Sequence, residues 1–353
     1  FYYPPPKKKK TRNSIPPNTR NNNPKILEAM LTADEILKLV NERLTVVATG
    51  RTPEGLYEPI RYVLSLGGKR IRPTLMLLAY NLFCEDPERI LTPACALETY
   101  HNYTLLHDDL MDNADKRRGK PTVHVQWNDN QAILSGDTML VLAYQMMAES
   151  PAERLKPVLD LFTETALEIG DGQQLDMEFE KRTDVTEDEY IEMIRLKTSV
   201  LLACALKIGA ILAGASEEDA DNLYRFGEKI GLAFQLQDDY LDVYGDEKVF
   251  GKAIGGDITS NKKTYMLINA FLRADASQRQ ELERWMEMED FDRQEKVSAV
   301  TSLYDALHID ELAKEKINQY FKESKAYLDA VSVAEDRKKE LRAYADRMMR
   351  RNK

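Results

Sequence analysis

Residues that break helices are scarce in this chain. Its 353 residues include only 16 glycines and 14 prolines, and many of the prolines crowd into the first residues. Long stretches therefore run without interruption, which favours helices over a turn-rich β architecture. Cysteine is scarcer still. Cys84, Cys95 and Cys204 are odd in number, lack Cys-x-x-Cys spacing and sit among apolar residues, so neither a disulfide framework nor a cysteine zinc site is expected. A basic excess is missing as well: the net charge is −10. A nucleic-acid binder would need a basic face, so nucleic acid is not an expected partner, and a cytoplasmic protein is. No run reaches the roughly 18 uninterrupted apolar residues of a membrane span. TSVLLACALKIGAILAGA comes nearest, but Lys207 interrupts it.

What is present is a large apolar fraction, 43%, enough to bury a sizeable core. Residues 1–24, rich in proline, lysine and asparagine, cannot pack a core and are expected to form a disordered tail. Residues 25–353 are expected to form one all-α domain. In ADEILKLVNERLTVVA, the residues Ile36, Leu37, Val40, Leu44 and Val47 share one helical stripe. Further helices are expected from RPTLMLLAYNLF, from about Pro93 through HDDLMD, along four later stretches, and as amphipathic helices through the C-terminal third. Thr186 and the Ser216–Asp219 pair are expected N-terminal caps. No alternating strand pattern stands out.

Two acidic clusters carry the chemistry. LLHDDLMD holds Asp108, Asp109 and Asp112, and LQDDYLDV repeats the pattern at Asp238, Asp239 and Asp242. Carboxylates four apart on a helix lie on one face about 6 Å apart. There they repel and shift toward protonation unless a cation intervenes. Magnesium suits such a site, because it binds through a few carboxylates, waters and phosphate oxygens. One such motif alone fits a solvated acidic face; two, each within an apolar helix, do not. Basic groups accompany them: Lys69, Arg70 and Arg72 in LGGKRIRP, and Arg117 and Arg118 in DKRRGKP. Arginine forks suit phosphate oxygens.

GGKRIRP, HDDLMDNADKRRGKPTVH, GQQLDM, LKTS, FQLQDDYLDVYGD, GKAIGGDI and NKKTY follow in this order. From about residue 35 onward the chain resembles the trans-isoprenyl diphosphate synthases, which make farnesyl and geranylgeranyl diphosphate. The resemblance implies a multi-helix isoprenoid synthase bundle around a deep central cavity, usually a homodimer. It implies a head-to-tail condensation of an allylic diphosphate (dimethylallyl, geranyl or farnesyl) with isopentenyl diphosphate, using three Mg2+ ions. Asp108, Asp112, Asp238 and Asp242 would hold the metal. Arg117, Lys197 and Lys262 would contact the allylic diphosphate, with Lys252 close by. Lys69, Arg72, His101 and Arg118 would form the isopentenyl diphosphate pocket. Thr198 and Gln235 would face the carbocation, and Gln173 and Asp176 would line the cavity. The departed diphosphate would accept the proton, so no protein base is assigned, and His107 and His124 carry no role. On this reading Arg117 and Arg118 serve two different diphosphates rather than neutralising the aspartates.

Product length is expected to be set just before the first cluster. Bulky Tyr103 would be the floor of the chain pocket and small Thr104 would leave some room, giving fifteen or twenty carbons. The basic end, RAYADRMMRRNK, is a candidate lid. A terpene cyclase on the same fold, or a synthase of longer chains, are the alternatives. The intact second cluster and the isopentenyl pocket residues weigh against the cyclase, and two intact clusters weigh against a non-catalytic subunit.

Overall fold

The computed structural model describes residues 30–246 and 254–350. The expected tail, Lys252 and the last three residues of the basic terminus lie outside them. The described helices are α1 (Ala33–Leu44), α2 (Glu54–Ser65), α3 (Ile71–Asn81), α4 (Leu91–Met111), α5 (Val123–Gln126), α6 (Asp129–Met147), α7 (Ala152–Phe179), α8 (Glu187–Ile194), α9 (Val200–Ala213) and α10 (Glu217–Tyr244). They continue with α11 (Gly256–Thr259), α12 (Tyr265–Arg273), α13 (Ala276–Glu287), α14 (Arg293–Ala306), α15 (Ile309–Ala330) and α16 (Glu335–Met349). The all-α expectation holds. Among the described residues the one sheet is a two-stranded ribbon, Lys116–Arg117 against Lys120–Pro121. Strands this short carry no alternation that a sequence pattern could reveal.

Local signals account for many of the helix ends. Thr186 forms a full capping box with Glu189. Ser216 accepts from the Asp219 amide, but the Asp219 carboxylate does not return the bond. It accepts instead from Ser332 N and Oγ at 2.7 and 2.6 Å. A cap expected to be local thereby ties α10 to the α15–α16 link, 113 residues away.

The interior forms two apolar clusters. One gathers α1, α3, α4, α6, α7, α9 and the first half of α10, including Phe226 and Ile230. The other gathers α8, the second half of α10 from Leu232 onward, and α12 to α15. Helix α10, against α9 and α15, passes through both. The segment Glu187–Ala213 is apolar and long enough to cross a membrane by composition, yet 67% of its most apolar window is buried inside the fold. All three cysteines are free, and burial pushes the Cys95 and Cys204 thiols up to about 12.

Candidate active site

The first acidic cluster closes α4, with Asp112 as its C-terminal cap. The second lies in the last turns of α10. Helix C-termini carry partial negative charge, so carboxylates there are disfavoured unless cations answer them. In each cluster the middle aspartate turns inward. Asp109 is buried and accepts from Arg117 Nε at 2.7 Å. Asp239 is buried, with Gln235 Nε2 donating to Oδ1 at 3.0 Å and the Tyr190 hydroxyl donating to Oδ2. The outer members, Asp108, Asp112, Asp238 and Asp242, are all more open than these. Burial raises the Asp112 carboxyl, with Asp108 adding to the shift and Lys197 opposing it.

Lys197 and Thr198 sit in a π turn, Arg195–Ser199, between α8 and α9. The Val200 amide reaches back to the Arg195 carbonyl, one residue further than an α-helix allows. Two glycines let neighbouring helices close on this turn. A Cβ on Gly172 of α7 would collide with the Lys197 backbone, and one on Gly231 of α10 with Ser199. Lys197 donates to Asp176 at 2.6 Å and lies 3.4 Å from Asp108. Thr198 Oγ1 donates to Gln235 Oε1 at 3.2 Å, which continues to Asp239. Gln173, about one turn of α7 before Asp176, reaches Met111 of α4, its Nε2 at 3.9 Å from the sulfur.

Lys262 connects the two clusters electrostatically. Burial works against its charge, but Asp239, Asp257, Asp176 and Asp108 outweigh it and raise the ammonium. Asp257 was not singled out from the sequence, although it belongs to the GKAIGGDI stretch. Its backbone N–H donates to Asp242 Oδ2 at 2.8 Å. Burial and then Asp239 push its carboxyl up to about 7. Tyr190 was also missed. Nothing in a lone buried tyrosine of α8 points to an aspartate 49 residues on.

A basic group stands beside the first cluster. His101 is held well below its ordinary value by burial and by Arg72, Arg118, Arg117 and Arg70, so the ring is neutral among guanidinium groups. Burial pulls Arg72 down to about 10, with Glu98 opposing, and its Nε is buried without a partner. An anion would satisfy it. Arg70 points the other way. It is 3% exposed and donates to Glu98 at 2.8 Å, Leu64 O at 2.6 Å and Asn41 Oδ1 at 3.1 Å. Exposed Lys69 lies in the same loop. Arg118 donates to the Gly67 carbonyl, and its guanidinium occupies the space a Cβ on Gly68 would need.

One expectation is corrected here. Arg117 does answer the aspartates: besides Asp109 it approaches Asp108 to 3.8 Å. The turn of the short ribbon, with Arg118 at φ +53°, sends the two arginines apart. His107 Nε2 lies 3.2 Å from the Ile133 carbonyl and His124 Nδ1 3.2 Å from Thr122 Oγ1, both structural contacts. Tyr103 is half-buried, its ring 5.4 Å from Tyr100 and 4.9 Å from His107. Thr104 donates to the His101 carbonyl at 2.8 Å. At the far terminus the Met349 carbonyl accepts from Gln237, next to Asp238. Among the described residues no three carboxylate, histidine or cysteine groups cluster tightly enough to hold an ion by themselves. Any metal here needs oxygens from water or a ligand.

Known proteins share this fold. Residues 53–304 match the polyprenyl synthetase family. A geranylgeranyl diphosphate synthase of Methanosarcina mazei is 47% identical over 221 residues, 62% of this chain and 68% of that protein. A solved geranylgeranyl pyrophosphate synthase is 39% identical with a TM-score of 0.88, over 92% of this chain and 100% of that one. A geranylgeranyl pyrophosphate synthase of Corynebacterium glutamicum, solved with isoprenyl diphosphate and magnesium, is 30% identical with a TM-score of 0.81, covering 91% of this chain and 100% of that one. On the family match over most of its length and on this likeness in sequence and fold, the chain belongs to the polyprenyl synthetase family.

Proposed function

We propose that this protein is a short-chain trans-prenyltransferase that joins an allylic diphosphate to isopentenyl diphosphate and releases farnesyl or geranylgeranyl diphosphate. The observation that carries this reading is the pair of acidic clusters at two helix C-termini, both acting on the half-buried Lys262, with a separate guanidinium group around neutral His101. Two anion sites of different construction fit two diphosphates with different fates. The catalytic domain is taken as residues 25–353.

Asp108, Asp112, Asp238 and Asp242 are hard oxygen donors that fit Mg2+, and three ions shared with a diphosphate match four outer carboxylates. When bound, magnesium would neutralise the charge that develops on the departing diphosphate. The chain's own cations do the same from fixed positions: Arg117, Lys197 and Lys262 stabilise the leaving group most when its charge is fully developed. Thr198 and Gln235, linked at 3.2 Å, present oxygens to the carbocation. Lys69, Arg72, His101 and Arg118 hold isopentenyl diphosphate, and the unpartnered Arg72 Nε supports this. The apolar walls keep water from the cation. Tyr103 is the floor of the chain pocket, with Thr104 beside it. Exposed Ile133, Leu134 and Val141 on α6, 46, 56 and 68% accessible, form an apolar face that supports a homodimer.

Incubating the purified protein with magnesium, isopentenyl diphosphate and each allylic primer, then sizing the products, tests the reading. Condensation to fifteen or twenty carbons, abolished by chelation, is expected. No product with any primer would refute it.

A further inference from the structure

Lys262 has to be aimed between two helices, yet no long helix carries it. It follows Asn261 in the short link from α11 to α12. Asn261 adopts a left-handed backbone, φ +54°. The Lys262 amide donates to Asp257 O at 2.9 Å and the Thr264 amide to Lys262 O at 2.9 Å. Beneath the link lies a small cavity bordered by Leu282, Trp285 and Tyr304, so apolar packing alone does not fix it.

The Asn261 side chain does. Its Nδ2 donates to the Met286 carbonyl at 2.8 Å, near the end of α13, and its Oδ1 accepts from Lys296 Nζ at 2.8 Å, on α14. Lysine can only donate, so it dictates which way the amide faces and thereby sends Nδ2 toward Met286. Lys296 is 1% exposed. Among the described residues no carboxylate lies within ion-pair distance of it, and its ammonium sits 4.1 Å from the centre of the Phe291 ring. A buried ammonium without a carboxylate is costly, and burial lowers its pKa. A methionine would fill similar volume without that cost. The charge is explained by what it orients.

We propose that Lys296 is a positioning residue: its hydrogen bond to Asn261 locks the turn that aims Lys262 at the space between the two acidic clusters. This rests on the assignment of Lys262 to the allylic diphosphate. Lys296→Met removes the donor and keeps the bulk. Steady-state kinetics of the full chain with magnesium, isopentenyl diphosphate and dimethylallyl diphosphate should show kcat down about tenfold, with KM for isopentenyl diphosphate unchanged. In a Lys262→Ala background the same substitution should cost nothing further, because the group it aims is gone. Asn261→Gly, which keeps the left-handed backbone accessible, should reproduce the loss, and should do so if Lys296→Met fails to fold. An unchanged kcat in Lys296→Met, or an equal loss in both backgrounds, overturns the proposal while leaving the role of Lys262 intact. An unchanged kcat in Lys262→Ala overturns the site assignment itself.

Discussion

The two acidic clusters share one spacing and have opposite surroundings. The first ends α4, leaves Asp112 exposed, and is answered by the cations of Arg117 and Lys197. The second is set within α10, and besides the Lys262 ammonium it meets neutral donors: the Tyr190 hydroxyl, the Gln235 amide and the Asp257 backbone N–H. Charged partners on long side chains can exchange one carboxylate for another or for a phosphate. Buried neutral donors cannot. The first cluster is therefore held by exchangeable partners, and the second, through Asp239, by fixed ones.

The largest expected effect separates them directly. Asp108→Asn should cut kcat by about 10^3, since it also unbalances Lys197 and Arg117, and Asp238→Asn by about 10^2. Equal losses in steady-state assays would erase the functional difference. The helices also differ five residues before each cluster, where α4 has Tyr103 and α10 has Ala233. The proposed length gauge therefore belongs to α4 alone. Tyr103→Ala should lengthen the product by whole isoprene units, read by chromatography, and an unchanged product removes Tyr103 as the floor.

Stability should divide the clusters the other way. Tyr190→Phe strips a donor from a buried carboxylate and should cost about 1–3 kcal/mol in denaturant unfolding. Arg117→Met breaks an ion pair whose guanidinium is 27% exposed, and should cost less than this. A reversal would mean that the first cluster is the structural one.

The last comparison concerns pH. His101 stays neutral in the folded protein because burial and the arginines depress its pKa. The unfolded chain takes up a proton below about pH 6.5, so this group adds no stability difference above that pH. As pH falls further it destabilises the fold, by at most about 1.4 kcal/mol per pH unit. His101→Gln should flatten the acid side of a stability–pH curve between pH 6.5 and 5. A curve identical to wild type would place the ring outside the guanidinium group.

Sequence by itself determined the helical class, through uninterrupted 3.6-residue periodicity, and the existence of the site, because two matched aspartate patterns in apolar helices call for cations wherever the helices end up. Folding decided which members serve. Asp109 and Asp239 are indistinguishable in sequence from their neighbours, and helix rotation turns them inward onto Arg117 and Tyr190. Arg70 and Arg72 lie two apart, and a left-handed residue at Arg70 buries one guanidinium on Glu98 while leaving the other with an unpaired nitrogen. The π turn at Lys197 packs against glycines of α7 and α10, where any side chain would collide with it. Such choices depend on contacts between residues far apart in the chain, and local spacing does not encode those contacts.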